Sequence, residues 1–173
     1  MAYGPHLISI ALSCLSETER LGESLGKELQ PGDILALHGD LGAGKTVLAK
    51  SIVRASGYSG LVSSPTFTIM NAYEGPVRVL HVDTYRLTDP YEVGSLGFSE
   101  YIDAGWAAVV EWADRIPDLL PDDHLAIELS QQDGAEGGRV AALRSSGPRS
   151  HGLLGAVERA FESAIVAEKR RSK

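Results

Sequence analysis

Short apolar runs alternate with amphipathic stretches along the first two thirds of the chain. Leu7–Cys14 is a short, mainly apolar run and predicts a strand. Leu21, Leu25 and Leu29 then recur at helical spacing, so Glu17–Gln30 reads as an amphipathic helix. Ser16-x-x-Glu19 at its start has the form of a capping box, and Pro31-Gly32 breaks it. Ile34–His38 is mostly apolar, as suits a strand buried on both faces of a parallel sheet. Thr46–Ser56 follows as a helix, with Leu48, Ile52 and Ala55 inward and Gly57 at its C-terminal cap.

Phe67–Tyr73 alternates and predicts a strand. Val77–Val82 is another, ending at Asp83, and Pro90–Leu96 predicts a short helix. Ala107–Val110 is a buried strand that ends at Glu111. Leu125–Leu129 and Arg139–Leu143 flank the pairs Asp133-Gly134 and Gly137-Gly138, the pattern of an antiparallel hairpin with a long loop. Leu153, Val157, Phe161 and Ala164 mark a closing helix. Neither an internal repeat nor a Pro/Ser linker interrupts this order, so residues 1–173 are expected to form one domain. Early strand–helix alternation and a late hairpin predict an α/β fold with a central mixed, mainly parallel sheet.

Gly39-Asp40-Leu41-Gly42-Ala43-Gly44-Lys45-Thr46 sits between the second strand and the second helix, and this run carries the chemistry. It has the pattern Gly-x-x-x-x-Gly-Lys-Thr. Its glycines permit backbone angles that turn several N–H groups toward one point, at the positive end of the following helix. Lys45 adds a point charge for the β and γ phosphates, and the Thr46 hydroxyl is a hard oxygen ligand for magnesium. The fold expected around it is the three-layer architecture of P-loop nucleotide-binding domains, with ATP or GTP as ligand and Mg2+ as cofactor.

Such a site needs an acid at the end of a second strand. Asp83 and Glu111 both end apolar runs, and strand C-terminal ends gather at the ligand edge of a parallel sheet. The structural alternative for each is a strand-end acid that caps the next helix or pairs with Arg86 or Arg115. Spacing leaves open which of the two acids serves the metal and which orients water. Ser64-Pro65-Thr66-Phe67 lies where many P-loop proteins carry a segment that senses the γ-phosphate. Thr66 is either its hydroxyl or part of a proline-marked strand start.

Charge and composition narrow the partners. The formal net charge is −7, which disfavours direct tight binding of nucleic acid. The basic run Lys169-Arg170-Arg171-Ser172-Lys173 reads as a solvated, disordered tail. Cys14 is the single cysteine, so no intrachain disulfide is available, and its apolar surroundings predict a buried side chain. With neither a signal-peptide pattern nor an apolar stretch long enough to span a bilayer, a cytoplasmic protein is expected.

Four motifs together resemble one family. The loop Gly39–Thr46, Ser64-Pro65-Thr66-Phe67, His81-Val82-Asp83-Thr84-Tyr85-Arg86-Leu87 and Val110-Glu111-Trp112-Ala113 look like the TsaE (YjeE) family, in its order and near its spacing. The resemblance covers roughly Ser16 to Leu129. It implies a bacterial ATPase needed for threonylcarbamoyladenosine at position 37 of tRNAs that read codons beginning with A. In that family the ATPase binds a TsaB–TsaD heterodimer, and TsaD transfers the threonylcarbamoyl group from an adenylate made by another enzyme. Hydrolysis supports repeated turnover of the complex, and tRNA is met only indirectly. Carried over by position, Lys45 and the loop backbone bind phosphates, Thr46 and Glu111 match the magnesium ligands, and Asp83 matches the second-strand acid. Trp112 matches an aromatic position associated with activity. Glu17 falls in a segment that touches nucleotide in relatives. Val82 and Thr84 stand where a bulkier apolar pair is more usual, and from Arg139 onward no family motif is matched.

Two other functions use the same loop. A small-molecule kinase would need an acceptor pocket and an arginine-bearing lid, and the chain has no long Arg-rich insertion. A nucleotide-sensing regulatory module would need no water-positioning acid. The histidines His6, His38, His81, His124 and His151 are scattered without zinc spacing. No Asn-Lys-x-Asp guanine signature occurs, which predicts ATP over GTP.

Overall fold

Among the described residues the strands join one sheet, with parallel strands at its centre. The computed structural model describes residues 6–89, 91–132 and 138–171. In chain order the strands are β1 (Leu7–Leu12), β2 (Ile34–His38), β3 (Met70–Tyr73), β4 (Val79–Asp83), β5 (Ala107–Glu111), β6 (Leu125–Gln131) and β7 (Arg139–Ser145). The helices are α1 (Leu15–Glu28), α2 (Lys45–Ala55), α3 (Tyr91–Ser95), α4 (Phe98–Asp103) and α5 (Pro148–Arg171). Sheet order is β1-β7-β6-β2-β5-β4-β3. The central strands β6, β2, β5 and β4 are mutually parallel. β3 and β7 oppose them, and β1, antiparallel to β7, points with the central set. This is the mixed, mainly parallel sheet with a late hairpin that the pattern predicts.

β2 and β5 are buried on both faces because each side of the sheet carries its own core. Leu35, Leu37, Ala107 and Val109 pack with α1, α2 and α5, while Ile34, Ala36, Ala108 and Val110 pack with α3, α4 and Trp106. α1 lies close against α2 because Gly22 and Gly26 face it. A Cβ at Gly26 would come 2.3 Å from Ile52 O, so only a bare backbone fits there. Among the described residues no helix is long and apolar enough to cross a membrane.

The structure corrects several local expectations. β1 stops at Leu12, and Cys14 is an exposed N-cap of α1 rather than a buried residue. The helix therefore starts one residue before Ser16, and no Ser16–Glu19 capping box forms. Glu17 now occupies the third helical position, and its carboxylate accepts the Ser13 N–H at 2.5 Å. The strand expected from Phe67 begins only at Met70. Residues 65–69 instead coil into a turn in which the Thr68 and Ile69 N–H groups both reach Pro65 O, and Ile69 has φ 66°. α4 was not legible in the periodicity, since it is a six-residue helix behind Gly97 with one fully buried anchor, Phe98. Pro90 and the hairpin-loop residues 133–137 lie outside the described residues, as do Ser172 and Lys173 of the basic tail.

Candidate functional site

The Gly39–Thr46 loop connects β2 to α2, and its conformation explains its glycines. Gly39, Gly42 and Gly44 have φ values of 125°, 80° and 107°, a region that L side chains rarely enter. At Gly39 space is also closed, because a Cβ would lie 2.2 Å from Leu129 O. Gly44 is the N-cap of α2, so Lys45 and Thr46 open the helix whose N–H groups point into the loop.

β4 and β5 pair so that Asp83 lies beside Glu111. Both carboxylates are buried at the sheet edge below the start of α2. Thr46 Oγ1 donates to Glu111 Oε2 at 2.6 Å, and Thr66 Oγ1 donates to Asp83 Oδ2 at 2.8 Å. Asp83 Oδ1 also accepts the Tyr85 N–H at 3.0 Å. The second oxygen of Glu111 faces His81 Nε2 at 2.8 Å. Hydroxyls, a backbone amide and an imidazole thus serve these acids. Arg86 lies over the Phe67 ring and Arg115 donates to Leu87 O.

Lys45 is folded into the loop. Its Nζ donates to Gly39 O at 2.6 Å and Asp40 O at 2.8 Å, and it lies 3.5 Å from the centre of the Trp112 ring. Burial pushes the ammonium below the ordinary lysine value, while Glu111, Asp114, Asp40 and Asp83 pull it back up. Trp112 is half-buried, has φ 58°, and stacks on Tyr85 with ring centres 5.0 Å apart. Its backbone is tied to the β4 end, because Thr84 Oγ1 donates to Trp112 O at 2.7 Å.

These groups surround one cleft of about 380 Å³, lined among others by Gly42, Lys45, Thr46, Thr66, Asp83 and Glu111. Of the residues singled out in the sequence, Leu41, Gly42, Gly44, Lys45, Thr46, Thr66, Asp83, Glu111 and Trp112 line this cleft, whereas Gly39, Asp40 and Ala43 are not part of its lining and neither is Glu17. The Glu17 carboxylate is engaged with the Ser13 N–H, and Leu15 is the residue of that turn that reaches the cleft. Sequence reasoning missed Arg139, which donates from Nε to Ala43 O at 2.8 Å and lines the cleft from the start of β7. No local signal marks that contact, since 96 residues separate the pair.

The donor set suits magnesium. Thr46 and Glu111 present hard oxygens side by side, with Asp83 one strand away. Among the described residues no group of three or more His, Cys, Asp or Glu side chains forms a metal cage. Magnesium is commonly held by one or two protein oxygens together with substrate phosphates, so a site this sparse fits it.

A family profile described as Threonylcarbamoyl adenosine biosynthesis protein TsaE matches residues 12–140. The chain belongs to the TsaE family. It is 39% identical over 116 residues to the tRNA threonylcarbamoyladenosine biosynthesis protein TsaE of Bacillus subtilis strain 168, covering 66% of this chain and 72% of that protein. The protein of the same name from Nostoc sp. strain PCC 7120 is 37% identical over 146 residues, 79% of this chain and 85% of the relative. The crystal structure of Bacillus subtilis YdiB superposes with a TM-score of 0.77 at 28% identity, covering 91% of this chain and 98% of that one. The TsaE profile ends one residue after Arg139, so it takes in the loop, both acids, Trp112 and the arginine behind Ala43.

Proposed function

We propose that this chain, acting as one domain, is the ATP-hydrolysing subunit that supports formation of N6-threonylcarbamoyladenosine at tRNA position 37 by a TsaB–TsaD complex. The observation that carries the reading is the convergence of Lys45, Thr46, Asp83 and Glu111 on one cleft in a TsaE family member. Its named relatives are threonylcarbamoyladenosine biosynthesis proteins.

The loop N–H groups and the N-terminus of α2 bind the phosphates of ATP. Lys45 leaves Gly39 O and Asp40 O to pair with the β and γ phosphates, where charge grows during hydrolysis. Thr46 and Glu111 would hold magnesium, with Asp83 reaching it through water; the ion screens phosphate charge when bound. Asp83 Oδ2 is held by Thr66, so movement of the 65–69 turn frees that oxygen to orient the attacking water. This ties the acid to the segment best placed to sense the γ-phosphate. The absent guanine signature favours adenine as the base, and so ATP over GTP as the nucleotide.

A protein whose acid is latched in this way hydrolyses slowly alone, because the competent state is a minor one. The decisive experiment measures phosphate release by the purified chain with and without TsaB–TsaD. Slow basal hydrolysis and marked stimulation are expected. Equal rates would sink the partner-gated reading, and a clear preference for GTP in competition binding would sink the nucleotide assignment. The reading places the protein in the cytoplasm, where tRNA and ATP are found.

A further inference from the structure

His81 stands at an inward position of β4, where the neighbouring inward residue Val79 is apolar and the side chain is fully buried. Asp83, two residues on, shares its face, and Glu111 sits diagonally across on β5, since His81 pairs with Val109 in register. His81 Nε2 lies 2.8 Å from Glu111 Oε1. Its other ring nitrogen, Nδ1, is buried with no hydrogen-bond partner.

This pattern defines the tautomer. A carboxylate oxygen only accepts, so Nε2 carries the hydrogen. A hydrogen on Nδ1 would be a second buried donor with no acceptor among the described residues, a worse arrangement than a bare lone pair. His81 is therefore a one-sided donor aimed at a single oxygen. A leucine would fill the same core position without an orphaned nitrogen, so packing alone does not account for an imidazole there.

The consequence falls on Glu111. Its two oxygens are divided, Oε1 to His81 and Oε2 to Thr46. The Thr46 bond shares Oε2 with any metal held there, so its geometry must adjust when both groups turn lone pairs toward the ion, even though the hydroxyl keeps its hydrogen to donate. The His81 bond has no such conflict. It fixes the carboxylate plane from behind and leaves Oε2 directed at the loop.

We propose that His81 is a positioning residue for the magnesium site, holding Glu111 through Oε1 so that Oε2 meets the metal beside Thr46. The inference rests on the reading of Glu111 as a metal ligand given under Proposed function. Outer-shell donors of this kind typically set metal affinity by about 10- to 100-fold.

The test uses the full chain bound to a non-hydrolysable ATP analogue, with Mn2+ as probe, titrated by electron paramagnetic resonance. The variants are His81→Leu, which removes the donor, and His81→Gln, whose amide nitrogen reaches the place of Nε2. Glu111→Gln is the control, and every melting temperature is recorded. The proposal expects His81→Leu to weaken Mn2+ binding by about tenfold or more, His81→Gln to restore most of it, and nucleotide affinity in EDTA to stay unchanged. Should His81→Leu not fold, His81→Asn replaces it, since the shorter side chain stays polar but cannot reach Oε1. Unaltered Mn2+ affinity in the donor-less variant, while Glu111→Gln weakens it, overturns this inference alone. A loss that His81→Gln fails to restore also overturns it, by assigning the effect to packing. If Glu111→Gln itself leaves Mn2+ binding intact, the metal reading of the site falls and this inference with it.

Discussion

Thr46 Oγ1 and Glu111 Oε2 are 2.6 Å apart, although 65 residues separate them in the chain. One opens α2 and the other closes β5, so this hydrogen bond joins the helix after the glycine-rich loop to the C-terminal end of the central strands. It also sets the terms for substituting Glu111. In Glu111→Gln the amide oxygen keeps His81 and the NH2 turns to Thr46, whose hydroxyl rotates to accept, so the fold is retained. ATP affinity should stay within tenfold, about 1.4 kcal/mol. Hydrolysis should fall by about 100-fold or more, because the lost charge acts mainly in the transition state. Titration of nucleotide and single-turnover hydrolysis measure the two separately. Equal losses in both would make Glu111 a uniform binder or a structural residue.

Lys45→Ala removes the ammonium that now occupies Gly39 O and Asp40 O. Hydrolysis should be abolished. The folded protein should persist, because the lysine is a desolvated charge whose burial opposes its protonated form. Phosphate release and a thermal melt check both halves. Near-normal turnover would remove the central claim about the loop.

Trp112 combines a cleft-facing ring with a left-handed backbone, and two variants separate these. Trp112→Ala and Trp112→Gly both lose the contact over Lys45, a cation–π interaction worth about 0.5–2 kcal/mol. Only glycine relieves the φ of 58°, so Trp112→Gly should melt no lower than Trp112→Ala. Both should keep nucleotide affinity nearly intact and lose partner-stimulated turnover. Full stimulation in either variant would show that the ring serves packing alone.

Asp123 caps α5 from outside the helix. Its carboxylate accepts the N–H groups of Arg149 at 2.8 Å and Ser150 at 3.0 Å. Burial pushes its pKa up, but the Ser150 and Arg149 donors outweigh this and hold it below the ordinary value of 3.8. A carboxyl with a depressed folded pKa stabilises the protein at neutral pH. That contribution erodes as pH falls below 3.8 and is gone below the folded pKa. Asp123→Asn should cost about 1 kcal/mol at neutral pH, because the amide keeps one accepting oxygen where the carboxylate uses two. The gap to the parent protein in urea melts should close on acidification. A gap that is constant with pH would mean the charge is irrelevant to the cap.

The sequence by itself determined the parts of this protein whose physics is local. Three glycines, a lysine and a threonine at fixed spacing specify a phosphate loop wherever a strand precedes and a helix follows, because the conformation depends on those residues' own backbone freedom. The apolar runs ending at Asp83 and Glu111 likewise announced buried strands, and parallel pairing makes their ends neighbours. Boundaries set by competition between neighbours were less legible. Cys14 became an exposed cap because the helix begins at Leu15, and the turn after Pro65 consumed the first residues of the strand expected from Phe67. Only the tertiary structure decided which groups serve the acids. Asp83 and Glu111 are held by Thr66, Thr46 and His81 rather than by Arg86 or Arg115. Arg139 reaches Ala43 across the sheet. Hydrogen bonds between distant residues depend on strand order and register, which are set by how two cores close on opposite faces of one sheet, and no short window of sequence contains that information.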